Sequence, residues 1–524
     1  MQDEYDAIIV GAGINSLACA VHLGAKGWRV GVFERAETPG GAVKTVELTE
    51  PGFRHDWAAM NLSLLAGSGF FKVYGEDLGR RGLKFAPASH CFASVFENGR
   101  WLGVSTGPGE TRARIAGFSE KDAEAWDTLC ADFPGTAEYV FSLLGNPMQM
   151  HIQGKILARA LWRKGFAWSA GLARMLLSSP RAWLTETFES DQVRATLGAW
   201  GMHLDFAPDM AGGAVFPYLE SMASQHFGMV IGKGGAETAI KAMVVRIEAT
   251  GGEVHCGKQV VRVLRDGNKA SGIELADGAK IRASRAVIAN VAPGGLMKLL
   301  DGASGDAAFD AKMTKFAHAP GTMMIHLALD GLPDWSAGEE LKSFAYVHIA
   351  PSLDQMARTY QQAVAGLLPD EPVLVVGQPT AIDPSRAPEG KHVLWVQVRM
   401  VPGEILGDAA GQITETDWAK VKEAYADRAI DMIERHAPGL RARILGRAVV
   451  SPLDLEADNP NLVGGDQVAG SHHLSQNFLF RPALGHATGR TPVDGLHITG
   501  ASVWPGAGTG AGAGYMLARK LGGK

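Results

Sequence analysis

Glycines at positions 11 and 13, serine at 16 and an acid at 34 are the first residues in this chain whose types and spacing carry chemistry. Ala7-Ile8-Ile9-Val10 is a continuously apolar run, as expected of a parallel strand covered on both faces, and it leads directly into Gly11-Ala12-Gly13-Ile14-Asn15-Ser16. Gly11 permits a sharp turn out of the strand, and Gly13 lets the backbone approach a pyrophosphate with no side chain in the way. The helix expected over Leu17 to Lys26 offers that anion free N–H groups and its positive dipole end. Glu34 closes the following strand about 20 residues on, where a carboxylate accepts from ribose hydroxyls and repels a 2′-phosphate. Ser16 stands where close helix–strand packing usually takes glycine, so a slight displacement is expected there.

The doublet Gly40-Gly41 follows Glu34, and a second glycine-rich turn, Pro505 to Gly514, lies near the C-terminus. A nicotinamide dinucleotide needs neither. A flavin dinucleotide has a longer arm to thread beneath the next loop, so the combination favours FAD. Other chemistries find little support. The cysteines, Cys19, Cys91, Cys130 and Cys256, have no CxxC or metal-knuckle spacing, so neither a zinc site nor a dithiol centre is expected, and no metal is assigned. No GxSxG elbow is present. The candidates for proton transfer or stacking are His55 beside Asp56, His472 and His473 after Gly464-Gly465-Asp466, and Trp504 before the last glycine turn. Each also has a structural reading: a loop hydrogen bond, a surface histidine or a packed indole.

The elements that must position these residues come from three separated stretches. The first is strand, turn, helix and the strand Arg29–Glu34. The second is a helix over Ala236 to Thr250, then strands at Glu253–Leu264, Ala270–Leu275 and Ile281–Asn290, with hairpin turns at Asp266-Gly267 and Asp277-Gly278. The third is the strand Leu496–Gly500, the glycine turn and the helix Tyr515–Leu521. The expected fold is α/β: a discontinuous Rossmann-type FAD-binding domain (1–75, 226–300 and 451–524) with an inserted α+β substrate domain (76–225 and 301–450).

Composition agrees with a large folded enzyme. The chain has 524 residues, 46% hydrophobic and 20% charged, and 66 glycines (about 13% against a usual share of roughly 7%). Its net charge of −5 argues against a nucleic-acid partner. The acidic start, Met1-Gln2-Asp3-Glu4, has no basic signal-peptide region, and no apolar stretch is long enough to span a bilayer, so a cytoplasmic location is expected. Segment 148–188 mixes Lys155, Arg159, Arg163, Lys164, Arg174 and Arg181 with Trp162, Phe166, Trp168 and Trp183. It reads either as an ordinary insert helix or as one lying on a membrane surface.

With these residues in hand, the chain resembles the phytoene-desaturase-like FAD oxidoreductases, more narrowly the pyridine nucleotide-disulfide oxidoreductase domain-containing protein 2 group. The resemblance runs through Gly11–Leu17, Glu34-Arg35, Pro39-Gly40-Gly41-Ala42, Pro51-Gly52-Phe53, Gly117-Phe118-Ser119, Gly234-Gly235, Asp383-Pro384, Gly464-Gly465-Asp466, Arg481-Pro482 and the block from Arg490 to Gly514. It implies that Gly11, Gly13, Asn15 and Ser16 face the pyrophosphate, with Ile14 in the same turn. It places Glu34, with Arg35 beside it, at the adenosine ribose, and the Val260 backbone at the adenine. Gly40, Gly41 and Ala42 would line the ribityl chain. Asp56 to Ala59, Ala58 among them, would pass near the isoalloxazine, and Gly500, Ala501, Pro505, Gly508, Thr509 and Gly510 would meet its pyrimidine edge. Trp504 stands where the family often carries histidine.

The function implied is hydride transfer between an apolar or mixed small molecule and flavin N5. Desaturation of C–C bonds in an isoprenoid-like chain comes first, with oxygen or a quinone as electron acceptor. An amine or amino-acid oxidase, a redox-neutral flavin isomerase and a non-catalytic flavoprotein scaffold are the alternatives. Neither the substrate's identity nor the oligomeric state is legible from the sequence.

Overall fold

The computed structural model describes residues 1–523 and contains two large sheets. The first follows from the buried apolar runs near both ends of the chain. Its strand order is Val260–Asp266, Lys269–Leu275, Lys280–Ala289, Glu4–Val10, Val30–Phe33 and Glu253–His255, and Leu496–Ile498 also pairs with Lys280–Ala289. Glu4–Val10 lies parallel to both neighbours, with Ala7 opposite Val30 and Ile8 opposite Val287. The intervening helix, Ile14–Ala25, is buried along nearly its whole length, which its small residues Ala18, Ala20 and Gly24 permit.

One strand expectation is corrected. Glu253–Leu264 is not continuous: it divides into Glu253–His255 and Val260–Asp266, which occupy opposite edges of the sheet. Gly257 takes a left-handed φ of 66°, ending the first piece, and the chain then crosses the strand ends. There the Gly257 N–H donates to Ala36 O and the Lys258 N–H to Glu34 O. The break carries the backbone leading to Val260 past Glu34. The helix expected from Tyr515 begins earlier, at Gly512, because Ala511 caps it in the left-handed region with φ 58°.

The second sheet runs Ile444–Val450, Gly321–Leu329, His392–Val401, Val373–Gly377, Tyr346–Ile349, His90–Val95 and Trp101–Ser105. All its pairings are antiparallel except Tyr346–Ile349 with His90–Val95. Helix Trp418–His436 packs on one side of it through Val421, Tyr425, Ile430 and Ile433. The other side, with Tyr346 and Trp395, packs with the helices of the insert, among them Glu120–Leu144 and Val215–Phe227.

The chain ends meet at the first sheet. Helix Gly512–Gly522 lies along helix Ile14–Ala25, and the Gly514 N–H donates to Asn15 Oδ1 at 3.1 Å. A Cβ on Gly514 would stand 1.8 Å from the Asn15 carbonyl oxygen, so only glycine permits this approach. Gly514→Ala is expected to force the two helices apart and lower stability by about 1–3 kcal/mol. In denaturation experiments Gly79→Ala, where a Cβ has nothing within 4 Å, serves as the neutral control. Equal stability of the two variants would contradict the contact.

Candidate cofactor and reactant site

Two backbone turns converge around Asn290, the residue that follows strand Lys280–Ala289. The Asn290 N–H donates to Val10 O, and its side-chain amide donates to Ser16 Oγ at 2.8 Å. A Cβ on Gly500, which has φ 106°, would meet Asn290 Oδ1 at 2.1 Å, and one on Gly13 would stand 3.2 Å from Nδ2. Ser16 is therefore sealed in the helix–strand contact, its hydroxyl bonded within the protein. Asn290 ties the first glycine turn to the last strand. Sequence reasoning passed over it as the end of a strand; the signal was an amide closing the run Ala286-Val287-Ile288-Ala289.

The two helices that meet here have no cap from the side chains of their own N-cap residues, Gly13 and Ala511, and no acids in their first turns, although Asn15 meets the Gly514 N–H of the second. That leaves their starts suited to an anion. Gly40 pairs with Gly13, its N–H donating to Ala12 O at 2.9 Å, and a Cβ on Gly41 would stand 3.5 Å from Gly13 Cα. Ile14 and Asn15 are both buried at this junction, Asn15 through its bond to Gly514. Ala42 follows the doublet, half-buried. Glu34 accepts from Ala12 N–H at 2.7 Å and Ala36 N–H at 2.9 Å, one to each oxygen. A carboxylate has about four lone-pair directions, so both oxygens keep capacity for ribose hydroxyls. Arg35 points away and donates to Ala457 O at 2.5 Å. Val260 lies beyond the crossing segment that pairs with Glu34 and Ala36.

These features fit a dinucleotide: two helix starts, side-chain-free turns and an acid held at a strand end.

The C-terminal turn is held from behind. Arg481, fully buried, donates to Ala501 O at 2.7 Å and Ser471 O at 2.8 Å. Burial pulls its guanidinium down to about 10, so it stays charged at neutral pH. His472 Nε2 accepts from the Ala507 N–H at 3.1 Å, and a Cβ on Gly506 would meet the same nitrogen at 2.5 Å. From the opposite side, Thr509 Oγ1 donates to Asn61 O, while Gly508 and Gly510 press on Leu64. Pro505 packs near Gly512.

Each candidate for proton transfer or stacking is held by contacts within the protein. His55 is fully buried between Thr49 Oγ1, at 2.7 Å, and the His326 ring, and burial drives its pKa down to about 2. His472 is likewise held neutral, first by burial and then by Arg481. His473 joins a polar knot in which Asp205 accepts from Ser471 Oγ (2.5 Å) and Tyr360 OH (2.8 Å) and faces His473 Nε2 at 3.1 Å. Burial pushes the Asp205 carboxyl up. Trp504 is buried, donates through Nε1 to Asn146 O at 3.0 Å and packs on Phe478 with ring centres 5.4 Å apart. It clamps the insert to the turn.

A strut missed by sequence reasoning supports the segment after the doublet. Asp56 accepts from Arg386 at 2.6 Å, Thr45 Oγ1 at 2.7 Å and the Ala236 N–H at 2.9 Å. Asp383 faces the same guanidinium at 3.3 Å and accepts from the Gly234 N–H. Asp56 is thus committed to structure, while Ala58 O accepts from Gln397 on the second sheet at 3.4 Å. The resemblance runs through both Gly234-Gly235 and Asp383-Pro384 but does not join them.

Comparison with known proteins agrees with this architecture. A family model described as an NAD(P)-binding Rossmann-like domain matches residues 9–74. The chain is 27% identical to the pyridine nucleotide-disulfide oxidoreductase domain-containing protein 2 of Rattus norvegicus, covering 99% of this chain and 93% of that one. It is 25% identical to the neurosporene-forming phytoene desaturase of Rhodobacter capsulatus, covering 98% and 93%. Among solved structures, an oxidoreductase from Methanosarcina mazei shares the fold at a TM-score of 0.63 and 18% identity, covering 98% and 99%. Cyclohexylamine oxidase from Brevibacterium oxydans does so at 0.60 and 16%, covering 99% and 98%.

The buried rings make an acid-stability prediction. The unfolded chain binds these protons near pH 6.5; the folded protein binds them only near 2 for His55 and near 4 for His326. The stability contributed by the neutral rings is therefore complete above pH 6.5 and is lost as pH falls below it, by about 1.4 kcal/mol per pH unit for each ring. Urea midpoints measured between neutrality and mild acid should fall, and His55→Gln should make that fall shallower by one proton. An unchanged slope would show that His55 titrates normally.

Taken with the two-ended glycine site, similarity over nearly the whole chain to the phytoene desaturases and to the pyridine nucleotide-disulfide oxidoreductase domain-containing protein 2 group marks this chain as an oxidoreductase.

Proposed function

We propose that the protein is an FAD-dependent oxidoreductase that removes hydride from an apolar, isoprenoid-like small molecule, desaturating a C–C bond. The observation that carries the reading is the convergence of both glycine turns on Asn290. It brings side-chain-free turns together from chain ends about 500 residues apart. A shorter nicotinamide dinucleotide has no use for the second turn. When bound, the flavin supplies hydride acceptance at N5.

The chain's own residues bind and orient. Gly11, Gly13 and the start of helix Ile14–Ala25 would hold the pyrophosphate, Glu34 the ribose, and Gly40 to Ala42 the ribityl arm. The backbone at Gly500, Ala501 and Pro505 to Gly510, with the start of helix Gly512–Gly522, would stabilise negative charge at the pyrimidine edge. The substrate class rests on the phytoene desaturases that match over nearly the whole chain.

The insert supports delivery from a membrane surface. In helix Met150–Leu177, Gly165 breaks the helical geometry at φ 82°, and Leu161 to Ala167 are all exposed around it. Trp162 is 82% and Phe166 79% exposed, with Arg163 and Lys164 beside them. Trp168 and Trp183 instead pack inward, on Tyr139 and Tyr218. Among the described residues no helix is long and apolar enough to cross a membrane, and a protruding aromatic tip with adjacent cations suits an anionic lipid surface. Such contact would place a quinone, alongside oxygen, within reach as electron acceptor.

Purified protein reconstituted with FAD should show flavin absorption bands and should bleach anaerobically with phytoene in vesicles. No FAD uptake would remove the reading. Glu34→Ala should weaken FAD retention by about 1–3 kcal/mol, measured by titration of the flavin-free protein. Replacing Trp162 and Phe166 together by serine should lower partition onto phosphatidylglycerol vesicles by about tenfold or more with FAD content unchanged. Unaltered partition would assign the tip another role.

A further inference from the structure

Helix Val215–Phe227 carries a face that is less sealed than the rest of it. Phe216, Glu220, Ala223 and Phe227 recur at one helical spacing and are partly or fully exposed, whereas Tyr218, Leu219, Ser221 and Met222 are buried. At one end of this face Phe227 is 69% exposed at the surface, close to Phe133, which also neighbours the exposed Phe141. Two turns inward sits Glu220. It lies deep in the molecule, yet its side chain is not closed off, the combination expected of a group that lines an internal cleft. Among the described residues no hydrogen bond or ion pair engages its carboxylate.

The residues around it place that cleft. Burial raises the Tyr346 phenol most, and the charges of Asp56 and Glu220 are both near enough to raise it further. Tyr346 lies in the second sheet with its ring 5.9 Å from Trp395. A Cβ on neighbouring Gly377 would touch Trp395 and Met60 Sδ, and Gln397 on the same sheet bonds Ala58 O. Glu220 therefore lies on the Tyr346 side of the second sheet, the sheet whose Gly377 and Gln397 approach the 56–60 segment. The elements packed on its helix are Glu120–Leu144, Asp191–Gly198, the turn Ala199–His203 and Trp101–Ser105. None of them sets a charge against it: burial is the sole cause that pushes its carboxyl up to about 7. Asp132 and Cys130 of the first of these act on Tyr218, and His203 is paired with His348 at 3.0 Å.

We propose that Glu220 is the proton acceptor of the desaturation, an inference that rests on the function proposed above. Removing two hydrogens from adjacent carbons sends one away with its bonding pair, as the hydride that a flavin accepts. The other leaves as a proton to a carboxylate oxygen of Glu220, and the electron pair of its C–H bond becomes the C=C bond. A carboxyl balanced near neutrality is charged often enough to accept that proton and neutral often enough to tolerate an apolar reactant.

In the flavin-loaded protein, Glu220→Gln should slow anaerobic flavin reduction by phytoene about 10²–10⁴-fold with phytoene binding unchanged, and Glu220→Asp should recover part of the rate. A second readout needs no turnover. The infrared carboxyl band lost in Glu220→Gln, or shifted in Glu220→Asp should the first variant not fold, should titrate near neutrality. Squalane, a saturated isoprenoid, should raise its midpoint by about one pH unit or more by displacing water from the carboxyl. A Glu220→Gln rate within about threefold of the parent overturns the proposal, as does a midpoint that squalane leaves in place. Should phytoene fail to reduce the parent protein, the proposed substrate class falls, and the squalane shift alone decides for or against Glu220.

Discussion

The approach of Gly514 to the Asn15 carbonyl is the constraint from which the site follows. A hydrogen at that Cα lets helix Gly512–Gly522 settle on helix Ile14–Ala25 closely enough for Asn15 to accept the Gly514 N–H. Two helix starts then sit side by side, and apart from the Gly514 N–H that Asn15 meets, their first N–H groups form a concentration of donors suited to an anion. Asn290 reinforces the junction from below, since its amide spans Ser16 on one helix and the Gly500 turn that leads to the other.

Buried charge organises the layer above. Arg386 between Asp56 and Asp383 joins the strand Arg54–Asp56, the Gly234-Gly235 turn and the 383–386 turn, so elements from three parts of the chain share one desolvated guanidinium. Arg481 plays the corresponding part behind the C-terminal turn by satisfying the carbonyls of Ser471 and Ala501. Both arginines are sealed, and a planar five-donor group is suited to several acceptors at once. Histidines near these struts are neutral because burial penalises their charged form. His55 and His472 consequently hold backbone and side chains in place and are poorly suited to shuttle protons.

That division leaves the reactant side lightly furnished. The second sheet presents Tyr346, Trp395 and Gln397 toward the 56–60 segment, and the insert adds the one deep carboxylate without a partner among the described residues, Glu220. Hydride chemistry asks little of protein side chains beyond orientation, exclusion of water and disposal of a proton. A carboxylate with no charged partner among the described residues, near the aromatic residues Tyr346 and Trp395, is consistent with such a reaction. The insert also carries Phe227, exposed at the end of the Glu220 helix, and the exposed tip at Trp162 and Phe166.

The glycine turns, the acid at 34, the three-stretch origin of the first sheet and its hairpins at Gly267 and Gly278 were legible in the linear chain. Each depends on local backbone freedom or on short-range hydropathy. The break at Gly257 was not, because the apolar pattern on either side of it is the same and only pairing to opposite sheet edges tells the two pieces apart. Roles for His55, His472 and Trp504 were equally out of reach: whether a histidine is sealed or an indole turned inward depends on residues hundreds of positions away. Glu220 carries no motif at all. Its standing comes from what surrounds it in space, since desolvation and the lack of a partner are properties of a packed interior and not of a sequence.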